Sequence, residues 1–126
     1  MRVLLSPIFI CVAFVIPQPA KAQLKTGNDL YAACTASETS PTYYQQDAEC
    51  AGYIAGATDA ILSFGVDKKN GICVPAGVQL GQIGDLVRSF MRNHPEIRHS
   101  QASAMMLGAL YEGFACKNQR TIRERG

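Results

Sequence analysis

The 126-residue chain has no tryptophan, only two histidines, and nearly balanced charge, with 12 Lys and Arg against 10 Asp and Glu. Each scarcity removes a class of function. Arg2 and Lys21 fall in an amino-terminal leader, so the mature chain carries no formal net charge, which excludes electrostatic capture of nucleic acid or of an anionic membrane by the domain as a whole. Both histidines lie in the segment His94 to His99 and no Gly-x-Ser-x-Gly occurs, so no base stands ready elsewhere to activate a nucleophile and enzymatic activity is not expected. No apolar run reaches the ~20 residues that a membrane helix needs. No stretch alternates polar and apolar residues over strand length, so β-sheet is not expected.

What is present begins with the leader. Arg2 supplies a positive start, Val3 to Ile16 an apolar run, and Ala20-Lys21-Ala22 a small-x-small cleavage pattern, so residues 1–22 read as a cleaved export signal. Cys11 leaves with it. The remaining chain is the size of one domain, and its apolar fraction of 48% fits a folded globule. A domain this small buries only about two thirds of its unfolded surface, so covalent constraint is useful.

Four helices are legible. A short first helix is expected from a cap at Asn28 or Asp29, after a polar lead ending at Gly27, to about Ser37. Glu38 to Thr42 has turn composition. Cys50, Ile54, Ala57, Ile61 and Phe64 then recur at steps of four and three, with Tyr53, Ala60 and Leu62 widening the stripe of a central helix. Asp67-Lys68-Lys69-Asn70-Gly71 reads as a charged turn in solvent. Pro75 and Gly77 open a third helix with Leu80, Ile83, Leu86, Val87 and Phe90 on one face and Gln82, Asp85, Arg88, Ser89 and Arg92 on the other, and His94-Pro95 stops it. Ser100 is the expected cap of a fourth, carrying Ala102, Met105, Met106, Ala109, Leu110 and Phe114. The fold class is therefore all-α, a small four-to-five-helix antiparallel bundle.

Cys34, Cys50, Cys73 and Cys116 are an even number in an oxidising compartment and allow three pairings. The helix plan discriminates among them. Cys34 and Cys50 lie about equally far from the first turn, and Cys73 and Cys116 both fall at the open end of the hairpin formed by the third and fourth helices, so the expected bridges are Cys34–Cys50 and Cys73–Cys116.

Other chemistry is sparse. His94, Glu96 and His99 invite the question of a metal, but Pro95 breaks the helix and no fourth ligand is evident, so no metal or cofactor is expected. Asp47 with Glu49 and Asp59 with Asp67 share no obvious apolar pocket that would suit acid–base catalysis. Gly52 and Gly56 make a small-x-x-x-small step, which is expected to mark close packing between helices. Met105 and Met106 read as core filler. Lys117, Arg120, Arg123 and Arg125 make residues 117–126 a basic tail, expected to be solvated and flexible.

The cysteine frame, Cys-Ala-Gly-Tyr-Ile-Ala-Gly from Cys50, Cys-Val-Pro from Cys73, Asn-His-Pro-Glu ending at Glu96 and Ala-Leu-Tyr-Glu-Gly-Phe-Ala-Cys ending at Cys116 together resemble the Tai/Rap family of type VI secretion immunity proteins. The resemblance spans Leu30 to Cys116 and departs at Ala115, where that family commonly has proline. It implies a disulfide-bonded helical protein of the periplasm, here residues 23–116, often a homodimer, that blocks the cleft of a secreted peptidoglycan amidase effector and needs no cofactor. The shared residues look structural, so they nominate no contacts. Exposed loops and stiff aromatics do: Asp67, Lys68, Lys69 and Asn70, then Asp85, Arg88 and Arg92 on the third helix, and the pair Tyr43 and Tyr44. The competing expectation is a periplasmic acid-stress chaperone of the HdeA type, whose carboxylates would loosen a dimer on protonation.

Overall fold

The computed structural model describes residues 24–117, and the expected signal (residues 1–22) and all of the basic tail but Lys117 lie outside them. Five α-helices follow in order: α1 (Gly27–Cys34), α2 (Tyr43–Ser63), α3 (Val66–Lys69), α4 (Leu80–Asn93) and α5 (Ala102–Phe114), with a 3-10 turn at Pro95–Ile97. The chain is all-α among the described residues, and no helix there is long and apolar enough to cross a membrane.

The first helix starts earlier than its sequence suggests. Thr26, not Asn28 or Asp29, is the cap: its hydroxyl accepts from the Asp29 amide at 3.2 Å, and the Asp29 carboxylate accepts from the Thr26 amide at 3.0 Å. The Thr26 hydroxyl, donating to the Asp29 carboxylate at 2.7 Å, and then the Thr26 amide hold that carboxyl below its ordinary value. The next amides are satisfied from far along the chain, Gly27 donating to the Ser100 carbonyl and Asn28 to that of Arg98, both at 2.8 Å. Gly27 is buried rather than part of a polar lead, because a β-carbon there would lie 2.7 Å from the Arg98 oxygen. The same junction corrects the cap of α5. Ser100 does not cap it; Gln101 precedes the helix, and the Ala102 amide donates to the Lys25 carbonyl at 2.8 Å.

Along α2, Cys50, Ile54, Thr58 and Ile61 are buried, Ala57 is partly so, and Phe64 is 78% exposed. Phe64 leaves the stripe because the helix ends at Ser63 and Gly65 turns the chain at φ 66°, a left-handed conformation suited to glycine. The charged turn that follows is the single-turn helix α3, and its Asp67 is buried at 9% exposure instead of facing solvent; the Ile72 amide donates to the Asp67 carbonyl. Pro75 and Gly77 do not open a helix either. Gly77 has φ 87°, Val78 donates to the Pro75 carbonyl in a turn, and α4 begins at Leu80, where the Gln82 side chain accepts from the Gln79 amide at 2.8 Å.

The core is drawn from every long element. Leu30 and Ala33 of α1 meet Cys50, Ile54 and Ile61 of α2, Ile83, Val87, Phe90 and Met91 of α4, and Ala102, Met105, Met106, Ala109 and Leu110 of α5. The bridges are Cys34–Cys50, tying α1 to α2, and Cys73–Cys116, tying the strand-like segment after α3 to the end of α5. Around the second bridge the backbone pairs twice, the Cys73 amide with the Phe114 carbonyl at 2.7 Å and the Cys116 amide with that of Gly71 at 2.9 Å.

Candidate partner-binding groove

Helix α4 is flanked on one side by α5 and on the other by α2, and only the first flank is closed. At Gly108 and Gly113 of α5, an added β-carbon would fall 2.5 Å from the Phe90 ring and 2.4 Å from the Leu86 side chain, so these glycines are seats for α4. Gly52 and Gly56 of α2 are the glycines whose spacing predicts close packing, and they do not provide it. Nothing lies within 4 Å of a β-carbon at either, nor at Gly81 of α4. The helix-packing glycines are the ones on α5, because it is the neighbour's large side chain and not the glycine spacing that makes a close approach.

The α2–α4 flank opens into two adjoining depressions. The larger, about 710 Å³, is lined by Ala55, Gly56, Thr58, Asp59 and Leu62 of α2, by the Val74–Val78 segment, and by Leu80 and Ile83. The smaller, about 200 Å³, is lined by Asp47, Cys50, Ala51 and Ile54 of α2 with Leu80, Gly81, Gly84 and Arg88 of α4. Leu80 borders both. Thr58 is only 7% exposed, and its hydroxyl has no hydrogen-bond partner among the described residues. Arg88 lies back over Gly84 and pairs with Asp85 at 2.8 Å.

At one end of this seam the structure gathers several of the residues singled out in the sequence. Tyr43 and Tyr44 meet edge to face at 5.5 Å; Tyr44 is 85% exposed and Tyr43 partly buried. The Asp47 carboxylate, one turn along α2, pushes the Tyr43 phenol up, and Asp47 shares the lining of the smaller depression with Arg88. Arg92 is exposed one turn further along α4. Lys68, Lys69 and Asn70 are exposed but lie past the other end of α2, whose 21 residues extend about 30 Å. Asp67 does not join them at the surface.

Asp59, Thr58 and Leu80 line the site although their sequence pattern does not nominate them. The helical period assigns Leu80 to the core, and Asp59 invites comparison only with Asp67. The signal for Asp59 is that it follows the polar Thr58 on a helix otherwise rich in small residues. Glu49 pairs with Lys25 and not with Asp47.

The His94 turn is a structural clamp. Nδ1 of His94 faces Glu96 and Nε2 faces Glu112 of α5, each at 3.2 Å, and the ring packs on Phe90 at 4.5 Å. Hydrogen bonding to Glu96, then to Glu112, raises the imidazole above its ordinary value. Glu112 is a partner the local sequence does not reveal, and His99 is not in the cluster. Glu96 and Glu112 sit on opposite ring nitrogens, and no group of three or more His, Cys, Asp or Glu among the described residues is placed to hold a metal ion together.

A family model described as Rap1a immunity proteins matches residues 26–116. The chain belongs to the Rap1a immunity protein family. The Rap1a match runs from the Thr26 cap to the last bridged cysteine, so it takes in α1 to α5 and both walls of the open seam. The Rap1a immunity family is not a catalytic one, and an immunity protein acts by binding a toxin. No curated protein and no solved structure matches the chain significantly.

Proposed function

We propose that this Rap1a family member is exported to the periplasm, where it binds a peptidoglycan amidase effector of a type VI secretion system and blocks its cleft. The observation that carries the reading is the family match over residues 26–116. Two cysteine bridges support export, since such bridges persist in oxidising compartments. The partner surface in this proposal is the end of the α2–α4 seam, with Tyr44 as the exposed aromatic anchor and Asp85, Arg88 and Arg92 as its polar rim. Lys68, Lys69 and Asn70 form a second, separate corner for the same partner. A homodimer belongs to the same proposal and is checked by sedimentation of the mature protein.

The test is direct. The mature protein is titrated into the amidase encoded by an adjacent gene, and hydrolysis of isolated peptidoglycan is followed. Stoichiometric binding with loss of hydrolysis is expected. An amidase that is neither bound nor slowed overturns the reading.

A further inference from the structure

We propose that the open seam between α2 and α4 receives an extended segment of the effector in which an apolar side chain is followed closely by lysine or arginine. The inference rests on the immunity reading and adds to it the place and chemistry of one contact.

The seam is long and narrow. From Leu62 to Asp47 it follows some four turns of α2, about 22 Å, which an extended segment of about seven residues would match. Its two depressions meet at Leu80, so an occupant must pass over that side chain, which suits a strand-like segment better than a compact ligand.

The walls select an apolar anchor. Ala55, Leu62, Val74, Val78, Leu80 and Ile83 offer aliphatic surface, and Leu62 and Leu80 remain exposed although each could be covered. Glycine inside a helix weakens it relative to alanine, yet Gly56 and Gly81 line the seam with open space above them. Neither accommodates a neighbouring side chain of this chain; their effect is to keep the seam deep. The Thr58 hydroxyl, buried in the lining without a partner, is a second sign that the surface is incomplete as it stands.

Charge decides what accompanies the anchor. Asp59 borders the larger depression and Asp47 the smaller, and neither is in an ion pair within 4 Å among the described residues. The cation in the lining, Arg88, is answered by Asp85. Two carboxylates are thus left uncompensated along an apolar slot, and an incoming Lys or Arg satisfies them while an acidic segment is repelled.

The test uses the exported full-length protein and three variants: Gly56→Trp, which fills the larger depression from a position with free space, Asp59→Lys, which reverses an exposed charge, and the triple substitution Arg120→Ser, Ile122→Ser, Arg123→Ser in the tail. Thermal melts by circular dichroism establish that each is folded. Affinity for the adjacent-gene amidase is measured by calorimetry, and two labelled synthetic peptides, Gly-Leu-Arg-Lys-Gly and Gly-Leu-Asp-Glu-Gly, are followed by fluorescence anisotropy. Loss of amidase affinity by about tenfold or more in both Gly56→Trp and Asp59→Lys is expected, with the cationic peptide bound in preference to the acidic one and that preference reversed by Asp59→Lys. If the amidase is bound and inhibited equally well by wild type and both folded variants, the seam proposal is overturned and the immunity reading stands. If wild type does not bind the amidase, the reading and the occupant fall together. Should the tail variant gain peptide affinity about tenfold, the chain's own Arg120 to Arg123 segment is the occupant and the effector segment is not.

Discussion

The two flanks of α4 are built from the same residue types and end in opposite conditions. Toward α5, glycines at positions 108 and 113 are filled by Phe90 and Leu86, and the helices close on one another. Toward α2, Gly56 and Gly81 stand over empty space, and the seam stays open beside them. A glycine thus signals closeness only when the facing helix has a large side chain to send in. The closed flank holds the molecule together, and the open one is left for something else.

The largest expected effect comes from cutting the wall that frames the open flank. Replacing Cys73 and Cys116 by serine unties the segment that leads into Val74–Val78 from the end of α5, and for cysteines 43 positions apart the chain-entropy estimate is a loss of about 4 kcal/mol, read by urea unfolding. Overfilling the closed flank comes next: Gly108→Val drives a side chain into the Phe90 ring and should cost about 2 kcal/mol in the same assay. Filling the open flank has the opposite sign. Gly56→Ala meets nothing and should raise stability by about 0.5–1 kcal/mol, and a destabilised variant would sink the contrast between the flanks.

The smallest effect is the pH dependence of the corner beyond the closed flank. His94 is raised above 6.5, chiefly by Glu96 and then by Glu112, so its contribution is whole below pH 6.5 and fades as pH climbs through the higher folded value. Glu96 is lowered below 4.5, first by its own backbone amide and less by His94, so its contribution is present above 4.5 and lost as pH falls through the lower folded value. Melting temperature followed against pH should therefore decline above pH 6.5 in the wild type and decline less in His94→Gln.

Much of the frame is legible in the amino-acid order alone. The pairing of Cys34 with Cys50 and of Cys73 with Cys116 follows from where the helices turn, and the α5 stripe from Ala102 to Leu110 is buried as its period requires. The departures arise where backbone pairing and turns, distant or local, override the side-chain pattern. Thr26 outcompetes Asn28 as a cap because carbonyls at 98 and 100 take the next two amides, and Asp67 is buried because its turn folds back on Ile72. Of the nominated residues, Tyr43 packs on Tyr44 and Arg88 pairs with Asp85, whereas the slot itself needs α2 and α4 side by side before Asp59 and Leu80 acquire meaning.

The junction between residues 25–28 and 98–102 also sets an order of events. A polypeptide emerging amino end first can form the Cys34–Cys50 link as soon as the α1–α2 hairpin is complete, but the donors at the start of α1 must wait for carbonyls some seventy positions later. Until that late stretch arrives, α1 is held only through the link at its far end, so its first turn is among the last parts to settle.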